Sequence, residues 1–173
     1  MKTLSYPIFL VEDNETYLKT LETYLKKNLN YHARIHTFPN GEDCLKNMSL
    51  KPKIVILDYF LNSATQDAAN GIDILKKIKT IDPEISVVML SSQDNLQVAT
   101  DTMKYGAFDY VSKNENAFLR VQNAIGNINK IIIQADELKM SRQVKRILIA
   151  WIILLIGASV VIQVFFPDLY KWK

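Results

Sequence analysis

The sequence predicts an α/β fold, a doubly wound sheet of five parallel strands, followed by one hydrophobic helix near the C-terminus. Three observations carry this. Short, almost wholly apolar runs alternate five times with helical patterns. Four of the five runs end abruptly on acidic, hydroxyl-bearing or basic residues. Residues 147–166, ILIAWIILLIGASVVIQVFF, are twenty positions without a charge. Apolar runs without internal alternation suit strands covered on both faces, and strand–helix units of this length link parallel neighbours.

The first strand is expected at Tyr6–Val11, ending on Glu12 and Asp13. An amphipathic helix follows between Asn14 and Lys27, with Tyr17, Leu18, Leu21, Tyr24 and Leu25 at helical spacing and Asn14 as N-cap. The second strand is Ala33–Phe38, followed by Pro39-Asn40-Gly41 and a short helix over Glu42–Met48. The third, Ile54–Leu57, stops on Asp58. A polar stretch, Asn62–Asn70, precedes the helix Gly71–Ile81, which Asp82-Pro83 terminates. The fourth strand, Ile85–Leu90, ends on Ser91-Ser92, and Gln93–Tyr105 reads as a helix closed by Gly106. The fifth, Phe108–Val111, leads into Ser112-Lys113.

The last helix of the domain is expected to continue. Phe118, Val121, Ile125, Ile128, Ile132 and Ala135 follow 3-4 spacing, and Lys139 and Arg142 break it. This pattern fits core packing that gives way to a helical stalk, or a homodimer seam.

Charge separates the two regions. The net charge is +3 overall. From Lys139 onward there are six bases (Lys139, Arg142, Lys145, Arg146, Lys171, Lys173) against Asp168, leaving seventeen acids and fifteen bases upstream. The alkaline balance therefore belongs to the flanks of the apolar segment and gives no reason to expect DNA as a partner. Cys44 is the only cysteine, so no intramolecular disulfide can form, as suits a reducing compartment. The N-terminal apolar run is too short for a signal peptide. A span of twenty apolar residues is about 30 Å of helix, the thickness of a bilayer's hydrocarbon core. Four bases before it and two after favour an N-terminal domain on the cytoplasmic side. The expectation is a single-pass transmembrane helix from Ile147 to Phe166 in the inner membrane, in contact with lipid.

In a doubly wound sheet the carboxyl ends of the strands form the ligand crevice. Glu12, Asp13, Asp58, Ser91 and Lys113 all fall there. Crowded carboxylates need a cation, and an oxygen-only cluster suits Mg2+. A lysine and a hydroxyl beside them can neutralise oxygens of a phosphoryl group. Asp58 is then the natural nucleophile.

These motifs resemble the receiver domain of two-component response regulators, the CheY-like family. FLVEDNE matches its acidic pair, VILDYF its phosphoacceptor, VVMLSSQDN its switch hydroxyl and GAFDYVSKN its last strand, over residues 5 to about 127. The resemblance implies a flavodoxin-like strand order 2-1-3-4-5. It implies phosphorylation of Asp58, with Ser91 and Lys113 assisting, Mg2+ held by Glu12, Asp13, Asp58 and the backbone carbonyl of Phe60, and Ser91 and Tyr110 as switch residues. The phosphoryl donor would be a sensor histidine kinase or phosphotransfer protein, and the only catalysis the receiver's own phosphorylation and dephosphorylation. The domain plan is then a receiver over 1–127, a helical stalk with a basic linker over 128–146, a transmembrane helix over 147–166 and a short tail over 167–173.

Three departures from the family pattern stand out. Asp58 to Gly71 is a longer interval than usual, Asn114 follows Lys113 where proline is usual, and Ser91 replaces threonine. A cis bond before Asn114 would cost about 3 kcal/mol, so a trans bond with an adjusted loop is expected. No DNA-binding pattern follows the receiver, so the expected output is contact with a membrane or cytoplasmic protein. The alternatives are a phosphate sink or relay and a phosphorylation-independent membrane scaffold. A haloacid-dehalogenase-type phosphohydrolase would need a second aspartate where Phe60 stands.

Overall fold

The computed structural model describes residues 2–61, 70–92 and 96–165, with side chains from Tyr6 to Gly157 within those segments. Strands β1 (Lys2–Val11), β2 (Tyr31–Phe38), β3 (Ile54–Asp58), β4 (Ser86–Ser91) and β5 (Asp109–Ser112) form one sheet. Helices α1 (Glu15–Asn28), α2 (Gly41–Lys46), α3 (Gly71–Ile81), α4 (Leu96–Lys104) and α5 (Ala117–Phe165) connect and follow them. All neighbouring strands are parallel, in the order β2-β1-β3-β4-β5.

The sheet is covered on both faces, as its unbroken apolar runs require. One face buries Phe9, Val11, Val55, Leu57, Val87 and Met89 against Cys44 of α2 and Ile74, Leu75 and Ile78 of α3. The alternate residues Ile8, Leu10, Ile54, Ile56, Val88 and Leu90 point the other way and are equally buried. Leu18, Leu21 and Leu25 of α1 and Val121, Ala124, Ile125 and Ile128 of α5 are buried too. The two helices are clasped by Tyr24 Oη donating to Gln122 Oε1 at 2.9 Å and Gln122 Nε2 donating to the Asn28 carbonyl at 3.0 Å.

Capping explains three helix starts. Asn14, Asn40 and Asn70 are N-caps whose side chains accept from the backbone N–H of Tyr17, Asp43 and Asp73. The differences from sequence expectation lie at element ends. β1 begins at Lys2, four residues early, and its ladder with β2 shifts register between Thr3 and Pro7. Pro7 offers no N–H, and β3 joins β1 only from Ile8, so the irregular start faces one neighbour alone. The short helix ends at Lys46, and a 3-10 turn, Met48–Leu50, closes through Lys51 in a left-handed conformation (φ 56°). The start expected for α4 at Gln93 lies outside the described residues.

The chain separates into two compact units, Met1–Ile128 and Asn129–Lys173. In the second, helix α5 is exposed throughout from Ile133 to Gly157. Among the described residues no helix is long and apolar enough to cross a membrane. The expected transmembrane helix over 147–166 extends past those residues. With Lys145 and Arg146 ahead of it, the apolar run with described side chains is residues 147–157. Positions 158–166 fall beyond the described side chains, and Phe166 lies outside the described residues.

A Cβ on Gly41 would land on Cγ1 and Cδ1 of Ile74, so α2 approaches α3 only because position 41 lacks a side chain. Gly41→Ala is expected to lower stability by about 1–3 kcal/mol. Trimming the neighbour in Gly41→Ala/Ile74→Val is expected to recover part of the loss, both read from urea unfolding.

Candidate functional site

The residues singled out at the strand ends converge. One carboxylate oxygen from each of Glu12, Asp13 and Asp58 lies within 4.8 Å of the other two. Glu12 and Asp58 are almost wholly buried, at 2% exposure each, whereas Asp13 is half-buried. Strand register explains the meeting. β1 and β3 are adjacent and parallel with Val11 opposite Leu57, so the residues immediately after that pair emerge side by side.

Lys113 bridges the two buried acids. Its Nζ lies 2.7 Å from Glu12 Oε2 and 3.0 Å from Asp58 Oδ2. The backbone places it there, since the Lys113 N–H donates to the Ser91 carbonyl at 2.7 Å, continuing the β4–β5 ladder by one residue. The described chain contains no cis peptide bond, so Asn114 follows in trans as expected. Asn114 turns the chain locally, its N–H donating to the Ser112 carbonyl and its side chain accepting from the Asn116 N–H.

Burial pushes the Glu12 carboxyl above the ordinary carboxylate range; the Lys113 ammonium pulls it back, and the charge on Asp58 raises it again. Asp58 is raised for the same first reason, against the pull of Lys113 and the Phe60 N–H, with Asp13 adding repulsion. One lysine therefore does not fully compensate three clustered acids. Asp58 Oδ1 is buried with no hydrogen-bond partner. A cavity of about 410 Å³ opens on the other side of the acidic pair, lined by Glu12, Asp13, Glu15, Thr37 and Pro39 among others, without Asp58. An orphaned carboxylate oxygen with two neighbouring acids forms a hard-oxygen donor set that fits a small divalent cation.

The other candidates surround this cluster. Ser91 ends β4, fully buried, one position beyond the Asp58–Leu90 pair. Tyr110 pairs with Met89 on β5 and lies partly buried against the core. Phe60 lies two residues after Asp58, its exposed ring edge-on to Tyr59 at 4.7 Å. Ile147 is on the second unit, exposed.

Two residues matter here that the sequence reading did not assign to the site. Gly71 is more than a helix start. A Cβ there would press into the Asp58 carbonyl oxygen and lie 2.7 Å from the Tyr59 Cα, while its N–H donates to the Tyr59 carbonyl at 3.0 Å. Tyr17, read only as part of an apolar helix face, lies with its ring under the Lys113 ammonium, 4.8 Å from Nζ to the centroid. Its position one helical turn after Asp13 was the available signal.

The fold and site define a flavodoxin-like α/β domain with an acidic, lysine-bridged cluster at the carboxyl edge of its sheet. The chain belongs to the response regulator receiver domain family, whose model matches residues 8–122. It is thus a receiver domain of the two-component type. It is 31% identical over 143 residues to the transcriptional regulatory protein CssR of Bacillus subtilis (strain 168), covering 80% of this chain and 60% of that one. It is 30% identical over 109 residues to the nitrogen assimilation regulatory protein NtrX of Azorhizobium caulinodans, covering 62% and 23%. The chain therefore spans less than two thirds of the length of these relatives. Among solved structures, a response regulator receiver domain protein from Clostridium thermocellum superposes with a TM-score of 0.62 at 26% identity, covering 75% of this chain and 98% of that one. The receiver domain of NtrX from Brucella abortus shares the fold, with a TM-score of 0.58 at 24% identity, covering 69% and 98%.

Lys113→Ala leaves two buried carboxylates without their ammonium and is expected to cost about 3 kcal/mol at neutral pH. Because both acids titrate above their ordinary values in the fold, the native state binds more protons than the unfolded chain in the window above about pH 4. Stability therefore falls as pH rises through the raised values, and the Lys113→Ala deficit is expected to shrink on acidification from pH 7.5 to 5. Urea unfolding at the two pH values measures it.

Proposed function

We propose that this protein is a phosphorylation-controlled response regulator whose phosphoacceptor is Asp58, working with magnesium. The observation that carries this reading is the buried Asp58 carboxylate, with one oxygen paired to Lys113 and the other unpartnered beside Glu12 and Asp13. Glu12, Asp13, Asp58 and the carbonyl of Phe60 would hold the ion, which supplies positive charge against the phosphoryl oxygens. Lys113 neutralises a further oxygen as a point charge, and the Ser91 hydroxyl donates to another. In the transfer, an Asp58 carboxylate oxygen bonds to phosphorus as the bond from phosphorus to the donor breaks, and the donor leaves with that electron pair. Receiver domains in general take the group from histidine kinases, and a sensor kinase or phosphotransfer protein is the donor proposed here. Movement of Ser91 toward the phosphoryl group and inward rotation of Tyr110 would shift the domain between two states that a partner protein distinguishes.

We further propose that residues 147–166 anchor the chain in the inner membrane, with the receiver in the cytoplasm. The support is the uninterrupted apolar sequence, the four bases before it and the two after it.

Incubation with acetyl phosphate and Mg2+ is expected to give one acid-stable, base-labile adduct in the wild type and none in Asp58→Asn, read by intact mass. Labelling of the variant to the same extent would remove Asp58 from the role. The lifetime of the adduct separates a signal, which persists, from a phosphate sink, which empties rapidly. For the anchor, the full chain is expected in the alkali-washed membrane fraction and a chain lacking residues 147–173 in the supernatant. Recovery of the full chain as soluble protein would overturn that part.

A further inference from the structure

We infer that Tyr17 is a positioning residue for phosphoryl transfer, its ring face fixing the Lys113 ammonium between Glu12 and Asp58. The inference deepens the reading of Asp58 as phosphoacceptor and rests on it.

Lysine reaches the acids on four methylenes, each a free rotor, so its ammonium needs a wall as well as partners to hold one position. The two carboxylates pull it from one side, at 2.7 and 3.0 Å. The Tyr17 ring provides the wall, with Nζ 4.8 Å from its centroid, inside the range of cation–π attraction. The ring is itself fixed. Phe118 packs edge-on to it, with centroids 5.3 Å apart and planes at 78°, and Phe118 also packs against Tyr24 at 5.5 Å. Helix α1 thus presents Tyr17 one turn beyond its Asn14 cap, and the start of α5 locks it.

The ring, not the hydroxyl, does this. The Tyr17 hydroxyl is buried without a hydrogen-bond partner, so it makes no polar link to Lys113. Burial, with the charges on Glu12 and Asp58, pushes its pKa up to about 12, so it stays neutral and offers no anion to pair with the ammonium. The contact is between a cation and the negative face of an aromatic ring.

The test is the initial rate of Asp58 phosphorylation from acetyl phosphate at saturating Mg2+, in full-length protein. Tyr17→Phe keeps the ring and is expected to remain within twofold of wild type. Tyr17→Leu keeps apolar bulk without the ring and is expected to be about tenfold slower. A merely structural role would slow any background, so Tyr17→Leu is also combined with Lys113→Met. Positioning through the lysine requires the double variant to be no slower than Lys113→Met alone. Tyr17→Phe as slow as Tyr17→Leu, a fast Tyr17→Leu, or additive losses in the double variant would each overturn the inference. If the wild type takes no phosphate at all, the functional reading fails separately. The brace is then judged by urea midpoints of wild type, Tyr17→Leu, Lys113→Met and the double variant, where additive shifts reject it and non-additive shifts uphold it.

Discussion

A single ammonium shared between two buried carboxylates is the constraint around which this domain is arranged. Glu12 and Asp58 come from adjacent strands and are brought together by the ladder register alone. Without Lys113 that register would confine two like charges in a place water hardly reaches. The lysine in turn is delivered by β5, whose ladder with β4 runs one bond further, from Lys113 to Ser91. The fold and the site are therefore coupled in both directions. The sheet sets the charges side by side, and the ion pairs tie β1, β3 and the end of β5 across the crevice.

The compensation is incomplete, and that is chemically useful. Both acids remain above their ordinary protonation range, and one oxygen of Asp58 has no partner. A site satisfied by its own side chains would gain little from a divalent ion. This one keeps an oxygen in reserve beside two further acids, so an ion held there relieves repulsion that the lysine leaves behind. Removing Lys113 and adding a cation act on the same excess of negative charge from opposite directions.

Most of the fold was legible because apolar runs covered on both faces leave a strong signal, and a parallel sheet needs such runs. Helix starts were legible where an asparagine caps them. Element ends were less so. The extra turn of pairing at Lys2 and Thr3 depends on β2 alone, and no local pattern in a segment containing Pro7 announces it. The acids and Lys113 were legible as strand-end residues, since topology fixes where strand ends lie. Tyr17 and Gly71 were not. One acts through a ring face toward a residue 96 positions away, its single mark a place one helical turn after Asp13, and the other through an approach of backbone to backbone that composition and periodicity do not record. The apolar C-terminal stretch is plain in the sequence, and its last nine positions, 158–166, lie beyond the described side chains.

The closure at Gly71 has an architectural consequence. Its N–H reaches the Tyr59 carbonyl, so the chain returns to the acid cluster within a single hydrogen bond of where it left. The start of α3 is thereby moored to the backbone that carries Asp58, so any shift of that helix would be handed directly to the strand end.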